Sequence, residues 1–248
     1  MTIDHPTELA GLRRLWQEAF GDSDAFLDIF FTQGFDPARS LCISENDTPV
    51  AALYWFDCSC NGRKIAYLYA VATARSHRGQ GLCRRLMADT HKILANQGYS
   101  SAVLVPGEPS LFDFYEKMGY QTICCTKAIA CTAGDKSLPV ATLSTDAYAA
   151  QRRRLLPDNA VVQEGDNLAF LSQICGLYGG DGWVMAASTE GKTLWAMEFL
   201  GDTALLPGIL TALGASEGHI RTPGDDAFAM YLPFDTAEPP AYFGIPFD

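Results

Sequence analysis

The sequence predicts an α+β fold, with a larger first domain of strands and helices followed by a smaller α+β unit. Three observations carry the prediction. Apolar runs over 39–44, 49–57 and 65–73 are short, β-prone and separated by turn residues, the pattern of an antiparallel meander. Helically spaced apolar residues bracket that meander on both sides. A stretch at 131–142 containing Gly134, Asp135, Lys136 and Pro139 then breaks the pattern, and strands and helices resume beyond it. The expected domains are 1–132 and 133–248.

Each element has its own justification. Leu9, Leu12, Leu15, Trp16 and Phe20 recur at helical spacing behind Pro6, so 7–20 reads as a first helix. Asp22 and Ser23 interrupt it, and 25–31 reads as a second, shorter helix. Trp16, Phe26, Phe30 and Phe31 suit core packing. Strands at 39–44 and 49–57 flank a turn at 45–48, and 58–63 turns the chain into the run 65–73. Strict alternation in that run puts Tyr67, Tyr69 and Val71 on one face and Ala66, Leu68 and Ala70 on the other. A helix at 82–94, a short strand at 101–105, a loop at 106–109 and a helix at 111–118 follow, with Ser110 placed to cap the last of these. A strand at 120–130 is expected to close the first domain.

In the second part, helices are expected at 145–156, 168–177 and 205–213, the last with Pro207 in its first turn. A hairpin joins 183–188 to 193–199, and further strands are expected at 218–222, 227–234 and 242–247. Arg152, Arg153 and Arg154 form the strongest basic run. Three adjacent arginines cannot share one helix face, so a solvated or partly packed surface is expected there.

The 248 residues are 48% hydrophobic, enough to build a buried core, and carry a formal net charge of -11. That balance argues against a broad nucleic-acid-binding face. Eight cysteines show neither paired C-x-x-C units nor a Cys/His metal spacing, so reduced, packed cysteines and no metal are expected. The first ten residues lack the basic and apolar regions of a secretory signal, and no apolar run is long enough for a membrane-crossing helix. A cytoplasmic location, with no membrane partner, is the expectation.

Arg78, Gly79, Gln80 and Gly81 lie between the apolar run and the helix that follows, at a strand-to-helix turn. Glycines one residue apart can adopt backbone angles closed to other residues and let a ligand approach the main chain. The helix directs unpaired N–H groups back into the turn, which makes a cradle for a phosphate or pyrophosphate. Arg78, Arg84 and Arg85 can add charge attraction. His77 and Cys83 read as local structure rather than as a base and a nucleophile.

The longer stretch V-A-T-A-R-S-H-R-G-Q-G-L at 71–82 resembles the acyl-CoA-binding motif of the GCN5-related N-acetyltransferases (GNAT), with Gly79 and Gly81 as its glycines and Ser76 where the family usually has Gln or Arg. L-V-P at 104–106 and F-Y-E-K-M-G-Y at 114–120 resemble the family's fifth strand and fourth helix, and the resemblance covers about 7–125. It implies a GNAT-like mixed central sheet flanked by helices, and a second unit resembling a reduced, cofactor-free half of the same fold. Acetyl-CoA is implied as acyl donor. Val71 and Thr73 would meet it ahead of the turn, Arg78, Gly79, Gln80 and Gly81 within it, and Leu82, Cys83 and Arg84 at the helix start.

The implied reaction is transfer of an acetyl group to a primary amine on a small-molecule or peptide acceptor. A backbone N–H near Val71 would polarise the thioester carbonyl, and Tyr115 would serve the departing thiolate. Many relatives carry a carboxylate in the strand before the turn, whereas 65–73 has none. Glu108 and the terminal carboxylate of Asp248 are the candidates for amine deprotonation, beside a water chain to backbone carbonyls. Related acetyltransferases often form dimers, so a homodimer is also implied. Two alternatives stand beside this reading: a noncatalytic acyl-CoA-binding or regulatory protein, and an interaction protein whose glycine turn is structural.

Overall fold

The structure, a computed structural model, describes residues 1–6, 8–236 and 238–247. It divides into two compact units, Met1–Gln121 with Met230–Glu238, and Thr122–Ala229 with Pro239–Asp248. The division differs from the boundary expected at 132/133. Strand β6 (Gln121–Thr132) belongs almost wholly to unit 2, while the end of β11 (Glu217–Pro233) returns to unit 1. Unit 1 is thus completed by a segment more than a hundred residues downstream.

In unit 1 the strand order is β1 (Thr2–Asp4), β2 (Ser40–Glu45), β3 (Thr48–Cys60), β4 (Arg63–Thr73), β5 (Ser101–Leu104), then the Met230–Pro233 end of β11. The first four strands are antiparallel, and β4 pairs β5 in parallel. Strand β3 runs on to Cys60, so the expected turn at 58–63 shrinks to Asn61 and Gly62, both at positive φ (51° and 75°), as a tight hairpin turn requires. Helix α1 (Leu9–Phe20) buries Leu12, Leu15 and Trp16, and lies close enough that a methyl group on Gly11 would come within 2.6 Å of the Pro49 side chain. Helix α2 (Asp24–Ile29) stops before Phe31, because the chain widens into a π-turn over Phe30–Gly34.

The crossover from β4 to β5 is α3 (Leu82–Asn96), which buries Leu82, Leu86, Met87 and Leu94. Helix α4 (Ser110–Glu116) begins at Ser110 itself. The expected serine cap does not form, and the Ser110 hydroxyl instead reaches Glu108 Oε2 at 3.4 Å.

Unit 2 contains β6, β7 (Ala141–Thr142), α5 (Thr145–Leu155), α6 (Asp166–Ile174), β8 (Gly176–Gly180), β9 (Trp183–Glu190), β10 (Thr193–Leu200) and α7 (Leu206–Leu213), with the earlier part of β11. Strands β7 to β10 pair antiparallel in sequence order, β10 pairs β11 in parallel, and β6 also pairs β11. The two strands expected at 218–222 and 227–234 are one continuous strand. The segment expected as a strand at 242–247 makes a single bridge, Ala160 to Tyr242, and is otherwise buried irregular chain. One face of the sheet packs Met185, Leu194, Ala196 and Ile220 against Ile209 and Leu210 of α7.

The arginine run sits less superficially than expected. Arg152 is 1% exposed and forms a two-pronged pair with the fully buried Glu198, Nε to Oε2 at 2.6 Å and Nη2 to Oε1 at 2.9 Å. Tyr148 and Tyr242 donate to the same carboxylate at 3.2 and 3.0 Å, so its acceptor capacity is filled. Arg153 is exposed and pairs with Glu164.

Candidate active site

The site is built where β4 ends. Its pairing with β5 covers only Ile65–Ser101, Ala66–Ala102 and Tyr67–Val103, and beyond Tyr67 the strands part. On its other edge, β4 pairs Tyr69 with Tyr54 and Ala72 with Ala52, leaving Ala70 and Val71 opposite Leu53 alone. This is a β-bulge, with Ala70 at φ 49°. The extra residue corrects the strict alternation expected of the strand: Ala72, rather than Val71, continues the face of Tyr67 and Tyr69. The bulge lies beside a ladder whose pairing with β5 ends at Tyr67–Val103, so Ala70–Thr73 run on past it, an arrangement that can bind an extended ligand.

Past Thr73 a 3-10 turn over Arg75–His77 leads into Arg78, Gly79, Gln80 and Gly81. Side chains brace the turn from outside. The Arg75 N–H donates to Glu18 Oε1 at 2.5 Å, Arg78 Nε to the Thr73 carbonyl at 3.2 Å, and Gln80 Nε2 to the Ser76 carbonyl at 3.3 Å. His77 sits between the Ser76 hydroxyl (2.8 Å) and Glu45 Oε2 (3.2 Å).

Gly79 and Gly81 have φ of 76° and 77°, and a methyl group added to either would meet nothing within 4 Å. Glycine is required there by the backbone angle, since the side facing the turn is open. Gly81 is also the N-cap of α3 and offers no side chain to its first N–H groups. The N–H groups of Leu82, Cys83 and Arg84 therefore point toward the turn uncapped, with Arg84 and Arg85 exposed in the first helical turn. No acidic side chain occupies that turn. An anion fits this donor set.

Tyr115, on α4, is 7% exposed, and its phenol is pushed well above the ordinary value by burial and then by the neighbouring Cys83. Burial likewise pushes the Cys83 thiol up, to about 11, with Arg84 pulling against it. Tyr115 packs edge-on against Tyr120, rings 5.7 Å apart, and the Tyr120 hydroxyl is 2.8 Å from His91 Nε2. Burial lowers His91 to about 4, so it is neutral near pH 7. Cys83, His91, Tyr115 and Tyr120 thus gather between α3 and α4. The motifs at 71–82 and 114–120 do not include His91 and give Tyr120 no site role. The eight-residue step from Cys83 to His91, two turns along one helix face, was the available signal.

Glu108 is exposed on the loop before α4 and is not part of that buried group. Asp248 lies outside the described residues. Among the described residues no group of three or more His, Cys, Asp or Glu side chains could hold a metal ion.

The family model described as "Acetyltransferase (GNAT) domain" matches residues 5–123. That stretch belongs to the GNAT acetyltransferase family. The GNAT match spans the bulge, the glycine turn, α3 and α4. N-acetyltransferase family 8 member 2 of Rattus norvegicus is 35% identical over 63 residues, 25% of this chain and 28% of that protein. N-acetyltransferase 8 of Mus musculus is 36% identical over 62 residues, 24% and 27% of the two chains. The matches thus span little more than a quarter of these relatives.

Solved structures extend the likeness in fold. A GCN5-related N-acetyltransferase from Kribbella flavida superposes with a TM-score of 0.72 over 94% of this chain and 71% of its own, at 15% identity. A putative acetyltransferase from Pyrococcus horikoshii gives 0.69 over 98% and 93%, at 13% identity. Both matches extend well beyond the family-model segment.

Proposed function

We propose that the protein transfers an acetyl group from acetyl-CoA to a primary amine by direct attack. The observation that carries this reading is the open glycine turn at the uncapped start of α3, directly after a bulged β4 that parts from β5. The pyrophosphate is held by the N–H groups of Gly79, Gly81, Leu82, Cys83 and Arg84, with Arg78 and Gln80 at its rim. The pantetheine arm runs along the free edge of β4 through Val71 and Thr73. A main-chain N–H at the bulge polarises the thioester carbonyl, a fixed donor aimed at the developing oxyanion. Tyr115, kept protonated by burial, hydrogen-bonds or protonates the leaving thiolate as the amine nitrogen bonds to the acetyl carbon and the carbon–sulfur bond breaks, and any proton it gives up is restored from solvent before the next turnover. The amine's surplus proton passes to Glu108, to Asp248 or through water to backbone carbonyls.

Unit 2 supports a single donor site per chain. Its order of hairpin, helix and parallel strand (β9, β10, α7, β11) repeats that of β3, β4, α3 and β5, and β10 also carries a register shift, between Ala196 and Glu198. In the 3-10 turn Thr203–Leu205 that leads into the corresponding helix, however, Asp202 Oδ1 accepts from the Ala204 N–H at 2.9 Å, and Pro207 removes a donor from the first turn of α7 itself. A carboxylate there opposes a phosphate. We read unit 2 as a reduced copy of the same fold that shapes acceptor binding or assembly.

The second reading, a noncatalytic acyl-CoA-binding protein, is favoured by the lack of any Asp or Glu from Arg63 to Thr73. Thiol release from acetyl-CoA over a panel of primary amines separates the two. Amine-dependent release supports the transferase. Binding of acetyl-CoA without release for any amine supports the second reading.

A further inference from the structure

Unit 2 has a concavity of about 490 Å³ on the sheet face opposite α7, within the size range of small-molecule sites. It lies where β10 and β11 part. Their parallel pairing ends at Ala196–Ile220, and the register shift that follows sets Met197 apart from the ladder. Arg221 spans the gap, donating from Nη1 to the Met197 carbonyl at 3.4 Å, and its guanidinium lies over the Phe228 ring at 4.5 Å. In unit 1, where β4 and β5 part, residues 68–73 and 101–104 contain no arginine. A positive charge is therefore built into the floor of the unit 2 groove.

Trp195 forms the wall. Leu194 and Ala196 on either side of it point into the α7 core, so its indole stands on the opposite face, where it is 45% exposed. Farther along that face, Tyr148 and Arg152 of α5 cover Glu198, but the covering does not reach Trp195. The indole is stacked almost parallel on the His219 ring, 4.3 Å away at 13°, which fixes its plane. Ala128 and Ala130 of β6 line the same space with the smallest of side walls, and Ser188 of β9 adds a hydroxyl. A fixed aromatic plate, a guanidinium and small residues around an open volume fit a flat ring that carries negative charge.

We propose that this groove binds a planar aromatic anion, the ring against Trp195 and the charge toward Arg221. An aromatic carboxylate and a nucleotide monophosphate share that chemistry. Calorimetric titration of the full chain with indole-3-acetate and, separately, with adenosine 5'-monophosphate tells them apart, with uncharged indole as control. One of the two anions should bind at least ~10-fold more tightly than indole. Trp195→Ala and Arg221→Gln should each weaken that binding ~10-fold or more while leaving acetyl-CoA affinity unchanged. Trp195 is half exposed, so its replacement tests the ring without opening a core. Failure of both anions to bind at millimolar concentration overturns the proposal, as does binding that neither substitution alters or that indole matches.

Discussion

The Nε of Arg78 donates to the carbonyl of Thr73 at 3.2 Å, tying the last residue of β4 to the first residue of the glycine turn. The bond fixes the turn's entry, with the arginine side chain exposed. Arg78→Ala should weaken acetyl-CoA binding about 10-fold, with less loss in high salt, where the charge attraction is already screened. Arg78→Lys should recover only part, since lysine keeps the charge and loses the planar fork. Calorimetry at low and high ionic strength measures both.

Tyr115→Phe should lower kcat by about 10² to 10⁴ and leave acetyl-CoA affinity within a factor of about two, as expected for a group acting on the leaving thiolate. Because burial raises the phenol, its proton persists through the ordinary tyrosine value of 10.0. The wild-type rate should therefore lose no Tyr115-dependent component between neutrality and pH 10. An unchanged kcat in the variant would remove Tyr115 from the mechanism.

His91 supplies a pH signature of stability. Its value in the fold, about 4, lies below the 6.5 of the exposed ring, so the unfolded chain binds the proton first. Its contribution is complete above pH 6.5 and is lost as the pH falls through about 4, amounting to about 3 kcal/mol. Urea unfolding at a series of pH values should show this loss, and His91→Gln should flatten it.

Glu198→Gln should destabilise unit 2 by about 3–5 kcal/mol, because it leaves Arg152 buried without its counter-charge. Burial alone would make Arg152 easier to deprotonate, but Glu198 more than offsets this and holds the arginine charged. Thermal unfolding measures the loss.

The parts of this protein legible in its sequence are those set by local chemistry. The glycine turn could be read because Gly79 and Gly81 have few substitutes at positive φ, and the β9–β10 hairpin because its apolar runs flank a short polar turn. The bulge at Ala70 could not, since an alanine at φ 49° is held there by pairing to a strand with one residue fewer. Strand β8, G-L-Y-G-G, has weak β character and forms by pairing β9 along its length. Arg152 looked like part of a solvated run because its partner lies 46 residues away. The unit boundary was hidden for a related reason, since β11 continues unbroken from residues of one unit into residues of the other.

Calorimetric titration of acetyl-CoA into the wild-type chain and Gly81→Ala tests the donor site most directly. Alanine at φ 77° costs about 1–2 kcal/mol of strain at the helix start and spoils the alignment of the N–H groups around the turn. The wild type should bind one acetyl-CoA per chain, and the folded variant should bind at least ~10-fold more weakly. A wild-type chain that binds no acetyl-CoA, or a variant that binds it equally well, would contradict the assignment of this turn as the donor site.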